Sequence, residues 1–230
     1  VIPLGLELDR FLELPLSRLS TQGMRDPDSS GKETGRCLNI GIVGRLVPIK
    51  NHRLFLEGAA KVIRDNPALD LRFKIIGDGE LRAELEEFSR KLNLSSAVEF
   101  SGWQKDLSGV YANLDIVCLT SINEGTPVSL IEAMASGKVI AATDAGGVKD
   151  LIGESLEESE DELGFSPRER GIMARSGDAD SFAGALSFLV RNEEIRKKMA
   201  AAGREFVREK FAKKRLIKDI ERLYEQVVSK

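Results

Sequence analysis

Residues 38–79, LNIGIVGRLVPIKNHRLFLEGAAKVIRDNPALDLRFKIIGDG, decide the fold. Two short apolar runs rich in β-branched residues, 38–44 and 71–77, bracket a stretch of helical periodicity, the pattern of a βαβ unit. The same alternation continues through AVEFSG, DIVCLTS and KVIAATD to GIMA at 171–174. Helices are expected over roughly Asn51–Arg64, Glu80–Leu92, Leu107–Asn113 and Pro127–Ser136, with several more after Asp178. The strand runs are continuously apolar, which suggests a sheet covered on both faces. The expected fold class is α/β, a Rossmann-like doubly wound parallel sheet.

With 230 residues, 42% of them hydrophobic, the chain suffices for one main domain with tails. The 34 basic and 37 acidic residues give a net charge of −3, so the basic surface that nucleic-acid binders present to phosphates is missing and no nucleic-acid partner is expected. No run of 18 apolar residues occurs, and the start VIPLGLELDR has neither the basic region nor the apolar core of a signal peptide. Val1 replaces an initiator Met, which suggests a chain cut from something longer. Cys37 precedes one strand and Cys118 lies near the end of another, opposite ends of a parallel sheet, so no disulfide is expected. Two free thiols fit a reducing cytosol, and the expected localisation is cytoplasmic. One His and no CxxC argue against a metal site.

Outside the domain at 38–203, residues 18–37 are polar, Gly/Ser-rich and aperiodic, a linker or surface loop after an N-terminal tail at 1–17. Glu154–Glu162 holds six acidic residues in nine and reads as a solvated loop. Residues 204–230 form an amphipathic helix, with Phe211, Leu216, Ile220, Leu223, Tyr224 and Val227 on one side. Lys213, Lys214, Arg215 and Lys218 beside them are what a peripheral contact with the anionic inner face of a membrane uses. Packing on protein with the basic residues in water is the simpler reading of the same pattern.

In open parallel sheets ligands bind beyond the carboxyl ends of the strands. Gly44-Arg45, Gly77-Asp78-Gly79, Gly102-Trp103, Asn123-Glu124-Gly125 and Asp144-Ala145-Gly146-Gly147 each follow a predicted strand and therefore line that edge. Arg82 occupies the third-glycine position of a dinucleotide fingerprint, and neither Gly31-Lys32 nor Gly137-Lys138 is set in a P-loop. What remains suits a diphosphate. Arg45 can fork onto two oxygens and Lys50 supplies a point charge, although two cations in a turn are commonly surface charges. The helix opening at Thr126-Pro127 offers the Val128 and Ser129 N–H groups and a positive dipole end. Glu132, in that helix, can accept from the two hydroxyls of a ribose, and Glu124, eight positions earlier, can reach a sugar beside the diphosphate. A surface carboxylate and a helix-dipole partner are the alternatives for these two.

GIVGRLVPIKNH, IIGDGE, EGTPVSLIEAMASG, ATDAGGVKDLI and GIMARSGDADSFAGAL, in this order, resemble the C-terminal domain of the retaining group 1 (family 4) glycosyltransferases of GT-B architecture. The likeness covers about residues 1–11 and 38–190, with VIPLGLELDRF similar to the crossover from the N-terminal domain and Leu4 where Asn is common. The resemblance implies the C-terminal half of a GT-B fold that binds a UDP, GDP or ADP sugar. It implies that Gly44, Arg45, Lys50, Gly77, Gly125, Thr126, Val128 and Ser129 surround the donor, with Arg45 and Lys50 on its diphosphate. Glu132 then holds the ribose, Glu124 the transferred sugar or its developing charge, and residues after Gly102 the base, with Trp103 either stacked there or buried. Glu124, Arg45 and Lys50 are the implied catalytic residues. Fixed cations make a metal cofactor unnecessary, and the acceptor is held by the protein's own N-terminal domain, without which the fragment binds but barely transfers. Thr126-Pro127 replaces the common Phe-Gly, Lys138 the usual Pro and Asp150 the usual Glu. Other readings are a GT-B epimerase or phosphorylase, and a non-catalytic nucleotide-sugar-binding module. A flavodoxin-like domain would need an acidic pocket where Gly44-Arg45 stands.

Overall fold

The computed structural model describes residues 3–14, 37–156 and 164–228. After a short helix, α1 (Asp9–Leu12), the chain alternates β1 (Leu38–Val43), α2 (His52–Asp65), β2 (Leu71–Ile76), α3 (Arg82–Lys91), β3 (Val98–Gly102), α4 (Leu107–Ala112), β4 (Ile116–Leu119), α5 (Val128–Ala135), β5 (Val139–Thr143) and α6 (Val148–Ile152). A hairpin of β6 (Phe165–Arg168) and β7 (Gly171–Ala174) follows, then α7 (Ala179–Arg191), α8 (Glu193–Phe211) and α9 (Lys213–Val228). The strands form one seven-stranded sheet in the order β3-β2-β1-β4-β5-β7-β6, parallel except for β6. The α/β doubly wound expectation holds.

Period-two geometry explains why the strand sequences are apolar throughout. Successive side chains of a strand point to opposite faces. Ile116, Cys118, Val139 and Ala141 join the cluster beneath α2 and α7, centred on Phe55, Phe73 and Phe182. Val117, Leu119, Ile140 and Ala142 join the opposite cluster with Leu130 and Met134 of α5 and Val207 of α8. The central strands are thus covered twice. Toward the β3 edge the second face opens, and Lys74 of β2 pairs with Glu99 of β3 at 3.6 Å. This is why LRFKII carries alternate charges while VIAAT carries none.

Three differences from the sequence reading stand out. Strand β6 was not expected, because FSPR contains a proline and an arginine; Pro is tolerated in an edge strand, where one row of N–H groups needs no partner. The boundary expected at Arg204 falls inside α8, and the break comes at Ala212, whose extended backbone (ψ 137°) separates α8 from α9. The crossover segment is clamped at that break: Leu6 N–H donates to Phe211 O, Lys213 N–H donates to Leu6 O, and Leu8 and Phe11 are buried against the second core. Finally, α9 was expected to pack its apolar side on protein. Arg215 donates to the carbonyls of Pro3 and Leu4, but Ile220, Leu223, Tyr224 and Val227 beyond it are exposed. The linker expected at 18–37 lies, except for Cys37, outside the described residues, as does most of the acidic stretch.

Cys118 stands opposite Ile42 in the β1–β4 pairing, at the far end of β1 from Cys37, and both thiols are free.

Candidate functional site

The strand order turns around between β1 and β4. The chain leaves β1 toward β2 and leaves β4 toward β5, so the loops after these two neighbours diverge and open a crevice at their carboxyl ends. The loop after β1 is short and shaped by local chemistry. Pro48 opens a 3₁₀ turn, Pro48–Lys50, and Asn51, in the left-handed region at φ 47°, swings the chain into α2. Arg45 and Lys50 are thereby held at the two ends of one rigid turn. Arg45 is exposed to solvent.

The glycine turn Gly77-Asp78-Gly79 lies directly behind. An added Cβ on Gly77, at φ +141°, meets Gly44 O at 1.9 Å, and one on Gly79 meets Leu46 O at 2.5 Å. Leu46 N–H donates to Asp78 O and Leu81 N–H to Leu46 O. These glycines allow two backbones to touch, which accounts for a glycine motif that is no dinucleotide fingerprint. Gly77 therefore stands as a buttress of the Gly44–Leu46 turn.

The loop after β4 is stitched to the first. The single Thr120 hydroxyl proton is shared between the carbonyls of Lys50 and Asn51, at 3.1 and 3.0 Å from Oγ1, and Ile122 N–H donates to Ile49 O. Lys50 Nζ donates to Glu124 Oε1 at 2.5 Å, and Ser121 Oγ donates to the same oxygen at 2.6 Å. An ammonium carries three N–H groups, so this bond leaves Lys50 donors for an anion at its side. The sequence reading named Lys50 and Glu124 separately; the structure joins them. Gly125 and Thr126 are exposed beyond the pair, and Pro127 precedes α5, whose Val128 and Ser129 N–H groups open the helix. Gly146 and Gly147, placed at this edge by sequence but given no role, support it from behind. A Cβ on Gly146 (φ +51°) meets Glu124 O at 1.9 Å, one on Gly147 meets Gly125 O at 2.1 Å, and Gly147 N–H donates to Glu124 O.

Glu132 is half-buried in the second turn of α5. Burial raises its pKa, opposed by the Tyr111 hydroxyl, which donates to Glu132 Oε2 at 3.2 Å, and by the charge of Arg10. Tyr111 was missed by sequence reading, since an internal helical aromatic reads as core. Trp103, on the loop after the edge strand β3, is 72% exposed beside Gly102, so the burial alternative is excluded and its face is open for stacking. The groups named for base, diphosphate, ribose and sugar share one edge of the sheet.

His52, the first residue of α2, is 1% exposed, and neither ring nitrogen has a hydrogen-bond partner. Burial and then the adjacent Lys50 charge lower its pKa to about 4, so the imidazole is neutral and structural. A folded pKa below the unfolded value means that the unfolded chain binds the extra proton. Stability present above the ordinary value of 6.5 is then lost as pH falls toward about 4. The loss is expected to reach about 3 kcal/mol at most. Denaturant midpoints measured across this interval test the expectation, because His52→Leu removes this contribution to the slope and leaves that of the carboxylates.

A profile of the family described as Glycosyl transferases group 1 matches residues 32–206. The chain belongs to the group 1 glycosyl transferases. It is 30% identical over 168 residues to a D-inositol 3-phosphate glycosyltransferase of Corynebacterium urealyticum, 70% of this chain and 37% of that protein. It is 28% identical over 190 residues to an Escherichia coli UDP-Gal:alpha-D-GlcNAc-diphosphoundecaprenol alpha-1,3-galactosyltransferase, 81% of this chain and 43% of the relative. The chain thus spans less than half the length of these curated relatives. Among solved structures, HepE from Anabaena in complex with UDP and glucose superposes with TM-score 0.74 at 18% identity, over 98% of this chain and 56% of that one. The C-terminal domain of the group 1 protein LpcC from Francisella tularensis matches with TM-score 0.63 at 24% identity, over 76% of this chain and 87% of that one. The fold expectation of a GT-B C-terminal half is met. Among the described residues no helix of this group 1 chain is long and apolar enough to cross a membrane, and no group of His, Cys, Asp and Glu could hold a metal ion.

Proposed function

We propose that this chain is the donor-binding half of a retaining, metal-independent glycosyltransferase, using a nucleoside diphosphate sugar and an acceptor held by a preceding domain. One observation carries the reading: Arg45, the Lys50–Glu124 pair and the opening of α5 converge where the strand order reverses. In this reading the diphosphate lies against Arg45, Lys50 and the Val128 and Ser129 amides, the ribose diol on Glu132, the base on Trp103 and the transferred sugar beside Glu124. Departure of the diphosphate develops negative charge on its oxygens and positive charge at the anomeric carbon. Fixed cations and a helix N-terminus stabilise the first, and the Glu124 carboxylate the second. HepE, solved with UDP and glucose, supports a nucleotide sugar as donor. A cytoplasmic site, peripheral on the inner face of the membrane, suits a donor made in the cytosol.

Purified alone, the chain is expected to bind one of UDP, GDP or ADP and to transfer nothing. Thermal shift with each nucleotide and its glucose conjugate reads binding, because a bound ligand stabilises by RT ln(1 + [L]/Kd). Release of nucleoside diphosphate in the presence of sugar acceptors reads transfer. No shift with any of the three overturns the donor assignment, and efficient turnover overturns the need for a second domain.

A further inference from the structure

Tyr111 has no part in the site as read from sequence, yet its place is unusual for a core aromatic. It is 0% exposed, and its single hydroxyl proton is shared between two acceptors on α5, Ser129 O at 3.1 Å and Glu132 Oε2 at 3.2 Å. The ring is held by the edge of Phe11, centroids 5.8 Å apart at 72°, and Phe11 belongs to the crossover helix α1. We infer that Tyr111 is a positioning residue: its buried hydroxyl fixes one oxygen of Glu132 and leaves the other to accept the ribose diol. This rests on the ribose role proposed above for Glu132.

The argument is one of freedom removed. A glutamate in an exposed helix turn samples several rotamers, and ordering it on binding costs affinity. Here Oε2 is tied back to α4 before any nucleotide arrives. Because the hydroxyl bonds Ser129 O as well, it also ties the first turn of α5 to the same anchor, so diphosphate amides and ribose carboxylate are held as one unit. The charged and titratable groups facing Glu132 are the Tyr111 hydroxyl from α4 and the Arg10 guanidinium from α1. Both favour the carboxylate. Removing the hydroxyl therefore raises the pH at which Glu132 gains its proton and stops accepting from the diol.

Calorimetry with UDP, GDP and ADP on the wild type, Tyr111→Phe, Glu132→Gln and the double variant tests the inference, repeated with the 2′-deoxy form of the best ligand. Tyr111→Phe keeps the ring packed on Phe11. It is expected to weaken ribonucleotide binding about three- to tenfold, to weaken the deoxynucleotide less, and to shift the acid limb of affinity to higher pH. In the Glu132→Gln background its further effect is expected to be smaller than in the wild type, limited to what the Ser129 contact contributes. If Glu132→Gln binds like wild type, the ribose reading itself falls. If Glu132→Gln weakens binding while Tyr111→Phe leaves affinity and acid limb unchanged, the inference alone falls. Equal loss on ribo- and deoxynucleotide with an unmoved acid limb marks a merely structural hydroxyl and also overturns it. The chain has two tyrosines, so 3-fluorotyrosine labelling needs no unfolding-prone variant. With Tyr224→Phe to assign the signals, the Tyr111 fluorine resonance is expected to move on UDP, GDP or ADP binding; an unmoved resonance at saturation counts against the positioning role.

Discussion

Replacing both Arg45 and Lys50 by Ala is expected to lower affinity for the bound nucleoside diphosphate by roughly a hundredfold to a thousandfold. A hydrogen bond to a charged group contributes about 1.5 to 3 kcal/mol, and each 1.4 kcal/mol is tenfold. Arg45 is exposed, so its share belongs at the low end, where water screens the charge. Lys50 is the more consequential of the two, because its removal also strips Glu124 Oε1 of its cation and leaves only Ser121 Oγ on that oxygen. Single variants therefore need not add. Calorimetry with the best of UDP, GDP and ADP reads the effect, and an unshifted thermal midpoint without ligand shows that the fold survives. Wild-type affinity in the double variant removes the diphosphate from this turn.

Glu124→Gln in the complete enzyme is expected to lower kcat about a hundredfold while leaving affinity for the bare nucleotide undiminished. A preorganised group that meets charge only as it develops acts on the transition state, and loss of one such group costs about 10² to 10³. The structure adds a reason why nucleotide affinity does not fall. Glutamine keeps an oxygen for Ser121 but no longer holds the Lys50 ammonium as tightly, so Lys50 is released toward the diphosphate. Initial rates with the full donor beside calorimetry with the free nucleotide separate the two effects. A tenfold loss of nucleotide affinity, or an unchanged kcat, assigns Glu124 to donor binding or to scaffolding instead.

What the sequence made legible was whatever repeats or stands alone. Six of seven strands follow from apolar runs, and the ends of α2, α3, α4 and α5 fall within a residue or two, with Asn51 and Gly137 as punctuation. Arg45, Lys50, Glu124 and Glu132 stood out through the resemblance to the group 1 family, since cations in a turn and carboxylates near a helix start have common structural uses of their own. The partnerships were not visible. Nothing local to Tyr111 announces Glu132, 21 positions on, and nothing local to Gly147 announces Gly125, because these contacts are made by the packing of separate βα units. Strand β6 was hidden for the opposite reason: an edge tolerates Pro167, so the usual strand composition is not required there.

The stitch between the first and second loops joins residues 74 positions apart. Its consequence lies in the order in which the molecule becomes competent. The 3₁₀ turn that carries Lys50 is closed by local hydrogen bonds, whereas Glu124 arrives only after β2, β3 and β4 have been made and β4 has found its place beside β1. Contacts of such long sequence separation are closed late, since the loop entropy is spent before they form. A partly folded chain is thus expected to carry Lys50 on a formed turn with no carboxylate beside it, the pairing with Glu124 being made late, together with the closing of the central pair of strands.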